Sequence, residues 1–570
     1  MSIMLKRNST AIWLLPVLAV SACVSSKNSI HIHQPNTLYH IIHMGQSLGS
    51  GDQSLPLVTT SNTGFGNLRF KTGTHTWSNN YFPSEPEKRH DSLFTFEPLT
   101  AVQRGGEGET IANGMADHLT SQIKSTTGKE FRFLFSYAGQ GGRYLRELNK
   151  RHDDAKDERA GTRRSGGGYY KTSIDDVRRA KQQADRLGIP YEVFSVSWMQ
   201  GEANGARKLN RWDSAIPSSE LIKLYKKDLI DLKNDYLSDI KGITKQKNRI
   251  PFLTYQTAGN LAAVAQLQAS LEDKDIYMVG PTYMLPNAEN GTYIIKEGGP
   301  LLHGDGIHLT ADGERWLGEQ FGKVARRIKV ENIDWKPLYP VKAWRNKQSQ
   351  SISVQFHVPV GHLQLDTTWL PMQDNAAGFV VLNGQNKKLP IHSVSIHSRD
   401  IVTIKLEEAV PAGELSVNYG LQSKVADLPG KIIDIKTGQT YKDGHPAIDI
   451  VFEGNITGSV QKLLEEGVFY IANIVKDPNE FTNFIIREVS LNADGNTVFK
   501  GEVKDLRNQV SFKLGQRCTL LRRYSYGNLR DSDNELSTFT FSDGSYGSRK
   551  GKQYPLYNWC VAFDNLKVAQ

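Results

Sequence analysis

Leu38-Tyr39-His40-Ile41-Ile42-His43-Met44-Gly45-Gln46-Ser47 is the stretch on which the fold turns. It holds no Asp, Glu, Lys or Arg, and its apolar run stops abruptly at Gly-Gln-Ser. A strand buried on both faces reads this way, whereas a half-exposed strand alternates apolar and polar residues. Four more short stretches have the same texture: Phe131–Tyr137, Tyr191–Trp198, Pro251–Gln256 and Ile276–Val279. Helical spacing fills the gaps. Ile174, Val177, Ala184 and Leu187 share one face, as do Leu221, Leu224, Leu229, Leu232 and Tyr236. Leu317, Phe321, Val324 and Ile328 repeat the pattern behind Thr310, a residue suited to cap a helix. Strand–helix alternation of this kind predicts an α/β fold with a parallel sheet, whose ligands bind beyond the carboxyl ends of the strands. Three long loops, 50–107, 151–168 and 281–304, interrupt the pattern, and loops of that length shape binding sites.

Beyond residue 335 the texture changes. Ser351–Val358, Gly378–Leu382 and Ile401–Leu406 alternate between turn signals, which predicts a β-sandwich. Val468–Val475 and Phe484–Val489, with Asn492-Ala493-Asp494-Gly495 as a turn, predict a separate β-rich insertion. A chain of 570 residues is too long for one core. The reading divides it into a leader (1–23), an α/β domain (24–335), a sandwich (336–429), an insertion or third domain (430–515) and C-terminal strands completing the sandwich (516–570).

The leader is read from Lys6 and Arg7, the largely apolar run Ala11–Ala22, and Cys23. Val20-Ser21-Ala22-Cys23 resembles the bacterial lipobox, in which the cysteine is acylated and becomes the mature N-terminus. Val24, where Asp would signal retention, implies an outer-membrane anchor within the bacterial cell envelope. Of the three cysteines this leaves Cys518 and Cys560, which an oxidising compartment would allow to pair or which stay as two buried thiols. The net charge of +9 comes from scattered residues, and no nucleic-acid motif accompanies it. A mildly basic surface suits an acidic polysaccharide or an anionic membrane leaflet. No stretch after residue 25 is apolar enough to span a bilayer.

Four short blocks carry chemistry. Met44-Gly45-Gln46-Ser47-Leu48-Gly49 puts a serine at the carboxyl end of the first strand. His303-Gly304-Asp305-Gly306-Ile307-His308 puts an acid and an imidazole three residues apart in one loop. A serine hydroxyl needs a base to take its proton, and the base needs an acceptor behind it. Ser197-Trp198-Met199-Gln200-Gly201-Glu202 ends another strand with an amide, and Ala138-Gly139-Gln140-Gly141-Gly142-Arg143 ends a third with glycines that admit backbone N–H groups. Alone, each block is weak.

In this order, over roughly residues 38–328, they resemble the SGNH hydrolase superfamily, and within it the sialate O-acetylesterase and carbohydrate acetylesterase branch. The resemblance implies a three-layer α/β/α, flavodoxin-like domain. It implies Ser47 as nucleophile, His308 as base, Asp305 as its partner, and an oxyanion hole from the Ser47 N–H, a glycine N–H and the Gln200 amide. Gly141 is the expected glycine, with Gly142 and Gly139 as alternatives. Gln46 stands where the wider superfamily has Asp, and Gln200 where it has Asn, which points to O-acetyl esters on carbohydrate, with sialic acid or acidic polysaccharide foremost. A lipase or lysophospholipase of the same superfamily, and a glycan-binding lipoprotein without catalysis, are the alternative readings. Glu202 is read as an acceptor behind the site, or else as part of a solvated loop, and Arg143, Arg146, Lys150 and Arg151 as a solvated charged face, with contact to a sugar carboxylate or phosphate, Arg143 foremost, as the alternative. Neither metal nor cofactor is expected: His31, His33, His40 and His43 share no ligand spacing, and no carboxylate cluster joins them.

Overall fold

The computed structural model describes residues 36–76, 90–151, 168–210, 214–258, 260–288, 293–295, 301–303, 307–346, 350–370, 372, 374–421, 424–440, 446–457, 472–475, 484–503, 512–522, 525–542 and 550–569. Leu38–Gly45 forms β1, and its alternation assigns a side of the sheet to each helical layer. Tyr39 and Ile41 pack into one core, Ile42 and Met44 into another. On either side of β1 run β4 (Arg132–Tyr137) and β5 (Tyr191–Met199), both parallel to it, with β6 (Phe252–Gln256) and β7 (Ile276–Pro281) beyond β5. Numbered among themselves in chain order, these five strands stand 2-1-3-4-5, the flavodoxin-like order.

The first core takes in α1 (Ile111–Thr127) and α5 (Ala311–Lys329). The second takes in α2 (Tyr169–Arg186), α3 (Ser218–Thr244) and α4 (Leu261–Glu272). Helices therefore cover both faces of a sheet whose strands are buried along almost their whole length. Thr310 does cap α5, accepting from the Gly313 N–H at 3.1 Å. Two helices carry no clear periodic signal. The buried face of α1 includes Asn113, Asp117, His118 and Thr120, and α4 is rich in alanine all round. The 50–107 stretch also holds two strands that the sequence reads as loop: β2 (Leu68–Phe70), parallel to β4, and β3 (Phe96–Pro98), antiparallel to β2. Three residues are too few to show a period. The chain then forms a short hairpin, β8 (Tyr293–Ile295) with β9 (Leu301–His303).

Past α5 the chain builds a second, eight-stranded sheet. It comprises β10 (Tyr339–Asn346), β11 (Ser351–His357), β13 (Phe379–Asn383), β14 (Lys388–Leu389), β15 (Ile391–Ser398), β16 (Ile401–Leu406), β17 (Leu415–Tyr419) and β27 (Phe563–Ala569). β27 joins its halves, pairing antiparallel with β17 and parallel with β10. Phe356 of β11 meets Phe379 of β13 with ring centroids 6.3 Å apart, so the two halves face each other across a shared core. Between β17 and β27 lies a closed barrel of β18 (Lys424–Thr440), β19 (Pro446–Phe452), β20 (Ala472–Val475), β21 (Phe484–Leu491), β22 (Thr497–Val503) and β23 (Arg517–Arg522). Its strands reach beyond the 430–515 range on both sides, because Asp427, Pro429 and Gly430 within β18 read as turn signals.

The last stretch departs from expectation. Of residues 516–570, only β27 enters the eight-stranded sheet, and β23 closes the barrel. β12 (Leu363–Leu365) pairs with β24 (Leu529–Asp531), and β25 (Leu536–Thr540) pairs with β26 (Gln553–Pro555). The segment around these strands sends Leu529, Cys560 and Val561 into the sandwich core and packs elsewhere on the α/β domain. Trp316 Nε1 donates to the Pro555 carbonyl at 2.8 Å, and Lys323 Nζ lies 2.9 Å from Asp533. Cys518 and Cys560 are both free and buried, which overturns the paired alternative. They lie in different cores, Cys518 with the barrel residues and Cys560 with the sandwich residues. Burial pushes the Cys518 thiol up to about 12.

Candidate active site

The turn after β1 is held from several sides. Gly45, with φ at +154°, leaves no room for a side chain, since a Cβ there would lie 2.0 Å from the Met199 carbonyl oxygen. Gln46 N–H donates to that same carbonyl at 2.9 Å. Tyr137 Oη donates to the Gln46 carbonyl at 2.9 Å, and Ser50 Oγ donates to the Ser47 carbonyl at 2.9 Å. The strand end, the Tyr137 hydroxyl and the following turn thus fix the backbone on which Ser47 sits.

His308 lies two residues before the cap of α5, and its Nε2 is 2.7 Å from Ser47 Oγ. Both side chains are largely buried, with Ser47 8% and His308 9% exposed. Two residues 261 positions apart are therefore brought to hydrogen-bonding distance by the fold. Asp305 and Cys23 lie outside the described residues. Asp52, which sequence reasoning did not single out, brings Oδ2 to 3.6 Å from His308 Nε2 and is about two-fifths exposed. Its N–H donates to the Ser47 carbonyl at 3.0 Å. It carries no motif, and only the turn geometry places it there.

Gly141 sits against the serine: a Cβ built on it would lie 3.4 Å from Ser47 Cβ. Gly139 has a different place, with its Cβ position 2.2 Å from the Gly45 carbonyl oxygen, so its absent side chain serves packing. Gly142 has φ at +67° and is exposed. The backbone N–H groups of Ser47 and Gly141 have no partner among the described residues.

Gln200 is placed otherwise than the resemblance implies. It is fully buried, and its Nε2 faces three acceptors: Asn204 Oδ1 at 2.7 Å, the Arg143 carbonyl at 3.1 Å and Gln46 Oε1 at 3.2 Å. Its Oε1 accepts from the Tyr225 hydroxyl at 2.9 Å. The amide is spent inside the protein, behind Gln46. Gln46 Oε1 in turn also accepts from the N–H groups of Gly201 and Ala203, at 3.4 and 3.2 Å, which orients the Gln46 amide. Gln46 Nε2 has no partner among the described residues. Glu202 accepts from the hydroxyls of Tyr255 and, at 2.6 Å, Thr257, and with Leu48, Ile307 and Leu309 it lines a small pocket.

Other candidates are turned inward or paired. Arg143 is 3% exposed and bonds Glu147 Oε1 at 3.2 Å. Arg146, Lys150 and Arg151 each pair with a carboxylate of α3: Asp228, Asp239 and Asp231. His40 bonds Tyr191 Oη at 2.7 Å and Ser136 Oγ at 2.8 Å, while the Nδ1–H of His43 donates to the Ser197 carbonyl at 3.2 Å. Desolvation by burial lowers both imidazoles from 6.5 to about 3, and they stay neutral. His31 and His33 lie outside the described residues. Among the described residues no group of three potential metal ligands is found, and no helix is long and apolar enough to cross a membrane.

No family model and no curated protein matches the sequence. Among solved structures, the chain is similar to a carbohydrate acetylesterase from Xanthomonas citri, with 15% identity over 67% of this chain and 75% of that one and a TM-score of 0.42. It is also similar to NanS, with 15% identity over 52% of this chain and 99% of that one and a TM-score of 0.31. A protein from Arabidopsis thaliana has 13% identity over 50% of this chain and 98% of that one, with a TM-score of 0.31. These scores assign neither fold nor chemistry, which rest on the residues above.

Proposed function

We propose that this protein is a serine esterase that removes O-acetyl groups from carbohydrate. The 2.7 Å approach of Ser47 Oγ to His308 Nε2 carries this reading. In the proposed reaction His308 Nε2 takes the Ser47 proton as Oγ attacks the acetyl carbonyl. The negative charge that forms on the carbonyl oxygen is met by the N–H groups of Ser47 and Gly141. Collapse breaks the ester bond, and the imidazolium returns its proton to the departing sugar oxygen, which leaves as a hydroxyl. Water, deprotonated by His308, then attacks the acetyl-serine to release acetate and restore the free hydroxyl of Ser47. Asp305 is proposed to face the other ring nitrogen of His308 and stabilise the imidazolium. The chain's basic balance and polar 50–107 stretch favour a polar, acidic glycan over a long acyl chain.

Acetate release from a panel of O-acetylated sialic acids and acidic polysaccharides, alongside p-nitrophenyl acetate and a long-chain ester, tests the reading. We expect turnover of acetyl esters and near-background rates for the long chain, and for every substrate with Ser47→Ala. Wild-type-like hydrolysis by Ser47→Ala would contradict the assignment. We further propose that Cys23 carries a lipid anchor that holds the enzyme in a bacterial envelope. Palmitate incorporation that disappears in Cys23→Ala supports this, and incorporation that persists refutes it.

A further inference from the structure

The sandwich carries a groove that the esterase chemistry does not use. It has a volume of about 840 Å³ and runs across β10, β11, β16 and β15. The strand registers show how it is built. One row across the four strands reads Trp344, Ser353, Thr403, Ser395, and the next reads Asn346, Ser351, Lys405, Ser393. The residues between them on the middle strands, Ile352, Val354, Val402 and Ile404, are fully buried in the sandwich core. By the alternation of strand side chains, both rows face away from that core. Yet Ser351 is only 2% and Ser353 only 4% exposed. Outward serines are so well covered only if taller side chains rise around them, which makes a trough with a short, hydroxylated floor.

The lining has the chemistry of a sugar site. Asn346 Nδ2 donates to Ser353 Oγ at 2.7 Å and to Ser351 Oγ at 3.0 Å. With its oxygen engaged, the Ser353 hydroxyl keeps its hydrogen for a further acceptor. Thr403, Ser393 and Ser395 have no side-chain partner among the described residues. Trp344 contributes an indole over which Lys342 Nζ lies 5.4 Å from the ring centroid, so a pyranose ring that stacks there takes the indole's other face or displaces the lysine. The charged groups of the lining are Arg345 and Lys405, with His397 beside them and no carboxylate. Arg345 alternates to the other face, opposite Ile352, and its guanidinium is bonded to the carbonyls of Pro411 and Gly413, which leaves Lys405 as the cation of the outward rows. Asp400, at the β15–β16 turn, is outside the lining and is bonded to Gln355 and Ser398.

We propose that this groove binds a stretch of acidic polysaccharide, separately from the Ser47 site. The hydroxyl floor and Asn346 meet sugar hydroxyls, Trp344 stacks on a ring, and Lys405 meets a carboxylate. The site would hold the enzyme on its polymer between turnovers.

Titration calorimetry on the full-length Ser47→Ala protein tests this, with hexagalacturonate and a sialic acid hexamer as acidic probes and cellohexaose as the neutral one. We expect an acidic hexamer to bind more tightly than cellohexaose and to weaken as salt rises. Trp344→Ala, and Ser353→Phe, which fills the floor, should each weaken that binding about tenfold or more. In the Ser47-intact chain, both substitutions should leave p-nitrophenyl acetate hydrolysis within about twofold of the parent, so failure here is distinct from failure of the esterase reading. The proposal is overturned if neither acidic hexamer binds better than cellohexaose, or if both variants bind as the parent does.

Discussion

In the proposed esterase, Ser47 draws its reactivity from its neighbours rather than from its own chemistry. A hydroxyl is a weak nucleophile until a base stands within reach, and His308 stands 2.7 Å away. The sequence shows the serine and the histidine, because each ends a block with a recognisable texture. It does not show what surrounds them. Asp52 belongs to no motif and reaches His308 only through the bend after β1. Gln200 shows the opposite failure. Its block is recognisable, yet its amide nitrogen already faces three acceptors and lies behind Gln46. This placement makes Gln200 a positioning residue. Gln200→Ala should cost about 1–3 kcal/mol of stability, because buried partners such as the Arg143 carbonyl lose their bond. It should lower kcat by less than the roughly 100-fold typical of a lost oxyanion donor. A loss of kcat beyond that, with an unchanged melting temperature, would put the amide in the oxyanion hole.

β1 does two things at the scale of one element. Its carboxyl end delivers Gln46 and Ser47, and its body separates the two helical layers. An uninterrupted apolar run made this strand legible, as it did β4 to β7. The two histidines inside it are the exception, since nothing in their spacing shows whether they bind metal, carry charge or sit neutral. The structure shows His40 between Tyr191 and Ser136, fully buried. A folded-state value of about 3 against an unfolded value of 6.5 has a definite sign. Between those limits the unfolded chain binds the extra proton, so stability is complete above pH 6.5 and falls as pH drops towards 3. Urea denaturation should therefore find the destabilisation caused by His40→Gln smaller at pH 5 than at pH 7, by about 2 kcal/mol. A pH-independent difference would mean that His40 takes up its proton in the folded protein. Short or compositionally flat elements were not legible: β2 and β3 have three residues each, and α4 is rich in alanine all round.

The whole chain returns on itself. After the sandwich and the barrel, the segment preceding β27 packs against α5, the helix that directly follows His308. Lys323, fully buried, lies 2.9 Å from Asp533 and 3.1 Å from Asn558 Oδ1, while Arg326 and Arg327 both reach Glu535. No local period announces such contacts between residues some two hundred positions apart, so the sequence assigned this segment to the sandwich. His308 stands two residues before the Thr310 cap of this same helix, so the helix helps to place His308 against Ser47. Labelling with a fluorophosphonate, followed by peptide mass spectrometry, tests that meeting directly. One adduct per chain is expected, on Ser47, and it should be lost in His308→Ala. An adduct on another serine, or none in a protein that still hydrolyses acetyl esters, would contradict the account.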